Sequence, residues 1–266
     1  MSAVPRNTWI ELLEASCAHV SITCLDIIID QAGSDSPWFP SVLSVEPALP
    51  WYSLFTGLPE AGAGELAPLL VRVDLAQPLN RQWLIDLMQA LHGRSQLLVL
   101  ASHWPFQALA EHLGQCVEAR NGGYPGLFRY YDPRLFPLLF SHVLDPEQQP
   151  LLLRPAAFWS WLDRDGIPKQ RLGSADTPER SEASTPIVLS DSQLETLCCA
   201  SDATLAMVSL AHALPSEWSA EEHFQTCFAA MLDATEARLQ LTPQREAYTL
   251  DRLRSACATH PGEDRK

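Results

Sequence analysis

Positive charge is scarce in this chain. Its 266 residues carry 18 Lys and Arg against 32 Asp and Glu, a formal net charge of -14 with a pI near 4.9. That balance argues against nucleic acid or an anionic membrane held by bulk electrostatics, and weakly favours a basic or neutral protein partner. Long apolar runs are missing too, so no segment is expected to span a membrane. The N-terminus, Met1-Ser2-Ala3-Val4-Pro5-Arg6-Asn7, lacks the apolar stretch and small-residue cleavage site of a signal peptide. The seven cysteines are an odd number without a CxxC pair, which suits reduced thiols better than a disulfide framework. A soluble cytoplasmic protein is the expectation.

Catalytic patterns are absent as well. There is no HExxH and no paired CxxC, and His103 and His112 are poorly spaced for two ligands on one helical face. Ser102-His103 follows an apolar strand, but Leu100 and Trp104 stand where a nucleophile elbow needs glycine. Gly57, Gly62 and Gly64 lack the Gly-Lys-Ser/Thr that grips phosphate. Asp163-Arg164-Asp165-Gly166 opens like a calcium loop, yet Thr177 or Pro178 falls where the closing Glu should stand, so a solvated turn is the better reading. Asp132, between Arg129 and Arg134, is the one carboxylate in a suggestive setting; a helix cap with an ion pair explains it without chemistry. No metal, no cofactor and no enzyme activity are expected. The alternative of an enzyme would need Asp132, His103 or His142 to converge in one cleft.

What is present is ample apolar content, 47%, distributed as short β-branched runs and amphipathic stretches. Thr8-Trp9-Ile10-Glu11 has the form of a capping box opening a helix toward Cys17. Val20 to Asp30 reads as a strand buried on both faces, in a parallel or mixed sheet. Gln31 to Pro50 reads as loop, and Trp51 to Gly57 as a short aromatic strand. Leu69 to Leu75 alternates, with Arg72 and Asp74 predicted on a partly wet face. Asn80 is expected to cap a helix that Gly93 ends, with Gln96 to Ala101 a buried strand and a helix after Pro105.

Gly126 to Arg134 reads as an aromatic strand with Phe128 and Tyr130 on one side and Arg129 and Tyr131 on the other. Asp132 then caps a helix opening at Pro133, which restarts near Pro137. Leu151-Leu152-Leu153 and Phe158 to Leu162 suggest two closing strands. Polar composition from Pro168 to Pro186 marks a flexible linker. The fold class expected is an α/β lobe, a mixed sheet flanked by helices, over residues 1–167, the linker over 168–186, and an all-α lobe over 187–266. Capping boxes at Ser190 and Ser219, and Thr242-Pro243, start the helices of that second lobe. Trp218, Phe224, Phe228 and Tyr248 exceed what a small bundle must bury, and are candidates for gripping a partner.

Two blocks and the strand between them resemble a bacterial family. Ser53-Leu54-Phe55-Thr56-Gly57-Leu58-Pro59-Glu60, running on to Leu66-Ala67-Pro68-Leu69-Leu70-Val71, is similar to a stretch of the type VI secretion effector adaptors, the "domain of unknown function 4123" group. Phe128-Arg129-Tyr130-Tyr131-Asp132-Pro133-Arg134 is similar to that group's aromatic-Asp-Pro-Arg signature. Leu58 stands where the group more often has Thr or Ser. The resemblance covers roughly residues 20 to 145. It implies a non-enzymatic adaptor or chaperone that binds a secreted effector protein in the cytoplasm and helps load it onto the spike protein of the type VI apparatus. Its motif residues Leu54, Phe55, Gly57, Pro68, Phe128, Arg129, Tyr131, Asp132, Pro133 and Arg134 would then be structural or partner-binding. An immunity or scaffold protein is a further alternative.

Overall fold

The computed structural model describes residues 8–177 and 186–259. Helix α1 (Thr8–His19) is followed by β1 (Cys24–Ile29), the short α2 (Phe39–Leu43), the edge strand β2 (Trp51–Ser53) and β3 (Leu69–Asp74). Helix α3 (Pro78–Ala90) leads to β4 (Leu97–Ala101), α4 (Phe106–Gln115) and the hairpin of β5 (Glu118–Asn121) with β6 (Tyr124–Leu127). Next come α5 (Phe136–Leu138), extended by a π turn over Leu139–Val143, then α6 (Pro150–Leu153), β7 (Phe158–Leu162), β8 (Pro168–Leu172) and β9 (Ile187–Val188). The rest is helical: α7 (Asp191–Ser209), α8 (Ala220–Glu236) and α9 (Thr242–Thr259). The chain divides into two compact units, Met1–Leu189 and Ser190–Lys266.

The expected class holds: a sheet flanked by helices, then an all-helical region. Pairing in the main sheet is antiparallel throughout, in the order β2-β3-β1-β4-β7-β8. One parallel pair, β5 with β9, lies in the small sheet β6-β5-β9. Strands β3 and β4 both run antiparallel to β1 and therefore parallel to each other, with β1 inserted between them. The β-α alternation legible in the sequence is this split crossover through α3.

Alternation along β1 sorts the core. Leu25, Ile27 and Ile29 join Val71, Val73 and Val99 beneath Trp9, Ile10 and Leu13 of α1 and Leu84 and Leu87 of α3. Each such side chain contributes about 1.5–3 kcal/mol on burial. On the opposite face Leu70 is buried while Arg72 and Asp74 stay partly exposed, the partly wet face expected for β3. There Asp26 and Arg72, paired in register across β1 and β3, form a two-pronged ion pair with both contacts at 2.7 Å. Arg72 also donates to Trp104 O (3.1 Å), and its guanidinium lies 5.5 Å from the Phe106 ring centre.

Other expectations shift. Asn80 sits buried inside α3 and donates to Pro47 O (3.2 Å), because Pro78 already starts the helix one turn earlier than a cap at Asn80 allows. Leu151-Leu152-Leu153 is helical, begun by Pro150, and not a strand. Residues 168–172, expected as linker, form β8 on β7, and Gly173 to Asp176 continue with backbone bonds to Ala157, Leu153, Ala156 and Arg154. Ile187 and Val188 pair with β5, so the first unit runs to Leu189 and not to 167. The remainder of the expected linker, 178–185, lies outside the described residues. The capping boxes at Ser190 and Ser219 are both formed.

Candidate functional site

The aromatic block after β6 is not a strand. Val117 O accepts from Phe128 N (2.7 Å), and from there the chain winds through tight turns, with Tyr130 N donating to Phe128 O and Asp132 N to Arg129 O. Turning lets neighbours share one side, so Phe128, Tyr130 and Tyr131 are all buried, against the alternation expected. Tyr130 donates its hydroxyl to Leu113 O (3.0 Å) at the end of α4. Burial pushes the Tyr131 phenol up to about 12, opposed in part by Arg129 beside it.

Both motif blocks meet at that same turn of α4. A Cβ at Gly114, next to the carbonyl that holds Tyr130, would lie 3.6 Å from both Leu54 O and the Tyr52 ring. Leu54 and Phe55 are buried, and Leu54 N donates to Pro68 O (3.0 Å), so the Leu54 and Pro68 ends of the first block are pinned together. Gly57 has φ +83°, a left-handed turn that a Cβ would strain. These motif residues are packing.

The motif's charged residues do something different. Asp132 is buried, as is Pro133, and its carboxylate accepts from Arg134 N (3.0 Å), Arg134 Nε (2.9 Å) and Arg134 Nη2 (2.7 Å). It closes a turn and grips a guanidinium; the α-helical turn itself starts only at Phe136. Arg129 donates to Asp30 (2.7 Å), at the end of β1. Burial raises the Asp30 carboxyl above its ordinary range, with the Arg129 guanidinium opposing. Asp30 also accepts from Ala32 N, and Gln96 Nε2 donates to Asp30 O and Ser34 Oγ while its buried Oε1 has no partner among the described residues.

An open cleft of ≈ 300 Å³ lies over this cluster, lined by Asp30, Asp35, Arg94, Gln96, Arg129 and Arg134. The three guanidiniums remain roughly half exposed, each held along one edge: Arg94 by Asp35 (3.2 Å), Arg129 by Asp30 and Arg134 by Asp132. Such a set presents oriented N–H donors to carboxylates or carbonyls of a bound chain. Nothing in the sequence joined Asp30 to Arg129. Its only signal was a charge ending the Ile27-Ile28-Ile29 run, and the partner is 99 residues away.

The other candidates fall elsewhere. Phe224 and Phe228 are buried within the helical unit, stacked at 5.7 Å, which corrects their assignment to a partner surface: α8 buries Cys227 and Met231 as well and consumes the aromatic excess. Trp218 and Tyr248 are half-buried, Trp218 beside the His223 ring (6.1 Å). His103 and His142 are exposed. Among the described residues no His, Cys, Asp or Glu cluster is arranged to hold a metal ion, and no helix is long and apolar enough to cross a membrane. Burial pushes Cys17 up to about 12 and Cys227 to about 11, the reverse of nucleophile activation.

The first unit is thus an antiparallel sheet flanked by helices that carries an arginine-rimmed cleft, and the second is helical. Residues 27–150, from within β1 to the start of α6, match the family model described as Domain of unknown function (DUF4123). No curated protein and no solved structure matches the chain.

Proposed function

We propose that this protein is a non-enzymatic cytoplasmic adaptor that binds a type VI secretion effector and helps load it onto the spike protein of the apparatus. The observation that carries the reading is the division of labour within Phe128–Arg134. The aromatic residues pack the fold, while buried Asp30 and Asp132 aim the exposed Arg129 and Arg134 across a cleft. The match over residues 27–150 coincides with the elements that build this cleft. The two-pronged hold of Arg134 on Asp132 favours recognition over acid–base work, because a general acid or base needs its carboxylate available to substrate.

Co-purification of the tagged chain with the effector and spike encoded by neighbouring genes tests this. A complex containing both proteins is expected, and Arg134→Glu should weaken effector binding about tenfold, some 1.4 kcal/mol. Absence of any complex with either protein sinks the reading.

A further inference from the structure

We propose that β8 is a docking edge, which accepts an extended segment of a protein partner as a seventh strand, with acidic and apolar residues alternating along that segment. This goes beyond the adaptor reading and does not depend on the partner being an effector. The strand closes one side of the six-stranded sheet, and Lys169, Gln170 and Leu172 are exposed. Its hydrogen-bond phase is fixed at both ends: Asp163 N donates to Ile167 O and Gly173 N to Ala157 O, each at 3.0 Å. Stepping by two along the antiparallel ladder, Lys169 and Arg171 spend their backbone groups on β7. Gln170 and Leu172 therefore turn N–H and C=O outward, a row that no strand among the described residues pairs with and that strand addition uses.

Side chains specify the charge of the guest. Lys169 and Arg171 project from one face of β8, opposite Trp161 and Trp159. The Arg171 guanidinium lies 4.2 Å from the Phe140 ring centre, and among the described residues its buried Nε finds no hydrogen-bond partner. Among the described residues it has no carboxylate, and burial alone acts on it, pulling its pKa below the ordinary arginine value. A glutamate directly across on a seventh strand would supply that missing partner, while the alternate face would cover Leu172. A second copy of this strand is the wrong guest: either antiparallel register sets cation against cation.

Fluorescence anisotropy of the full chain with two labelled synthetic peptides tests the proposal, one alternating valine and glutamate, the other valine and lysine. The chain's net charge of -14 disfavours the acidic peptide at long range, so a preference for it must arise locally. At least tenfold tighter binding of the glutamate peptide is expected, with the preference reversed by Arg171→Glu. Gln170→Pro removes an outward N–H without touching the β7 ladder, and should abolish binding while circular dichroism stays native. Equal binding of both peptides, binding of neither up to about 1 mM, or undiminished binding by folded Gln170→Pro overturns the proposal. If Gln170→Pro fails to fold, the Arg171→Glu reversal decides.

Discussion

Asp26 is the most committed charge in the protein, fully buried on the central strand with Arg72 as its partner. Burial lifts its carboxyl from 3.8 to about 6, even with the guanidinium opposing. The folded state thus holds this proton more tightly than the unfolded chain. The stabilising contribution is complete below about pH 4 and is lost as pH rises through 6. Between those values it should fall by about 1.4 kcal/mol per pH unit. Urea unfolding from pH 4 to 7 should show this slope as a difference between wild type and Asp26→Asn; parallel curves would refute it. Asp132 makes a contrasting case, since three donors from one residue satisfy it. Asp132→Ala should lower stability by about 1–3 kcal/mol through loss of the turn bonds and of a charged hydrogen-bond pair. The effector complex, where it forms, should weaken with it, because Arg134 loses its anchor.

Among the elements, those with strong local signals were legible. Strand β1 announces itself by Ile27-Ile28-Ile29 and β4 by its unbroken apolar run, and both capping boxes formed at Ser190 and Ser219 as spacing implied. Strand β8 was not, because Pro168-Lys169-Gln170-Arg171-Leu172 has a linker's composition and owes its structure to β7 rather than to its own propensity. Leu151-Leu152-Leu153 was misread because a short apolar run carries no period, and Pro150 was the better clue. After β8 the chain is held hard against its neighbours. A Cβ on Gly173 would lie 2.0 Å from Ala156 O and 2.6 Å from Leu153 O, both backbone atoms that cannot swing aside. Gly173→Ala should therefore cost more than about 3 kcal/mol, beyond the usual range for a surface change. Thermal melting checks it, and a shift of only a degree or two would show that the segment can lift away.

At the scale of the whole molecule, sequence gave the two-part plan but misplaced its seam, and the candidate site was only half readable. Arg129 and Arg134 stood out beside Asp132, whereas Asp30 and Gln96 enter the cleft through long-range pairing that no local pattern encodes. The seam makes a sharp prediction. A fragment ending at 167, where polar composition begins, loses β8, the backbone bonds of Gly173 to Asp176, and β9 from the edge of β5. It also leaves β7, with Trp159 and Trp161, as the edge strand of the sheet, paired with β4 alone. A fragment ending at Leu189 keeps all of these and every tryptophan except Trp218. Residues 1–189 should show a near-ultraviolet dichroism close to the full chain's and a single cooperative melt, as a self-contained core requires. Residues 1–167 should lose that signal or aggregate through the newly exposed edge of β7. Equal behaviour of the two fragments would place the boundary back at the change in composition and make β8 an ornament of the fold.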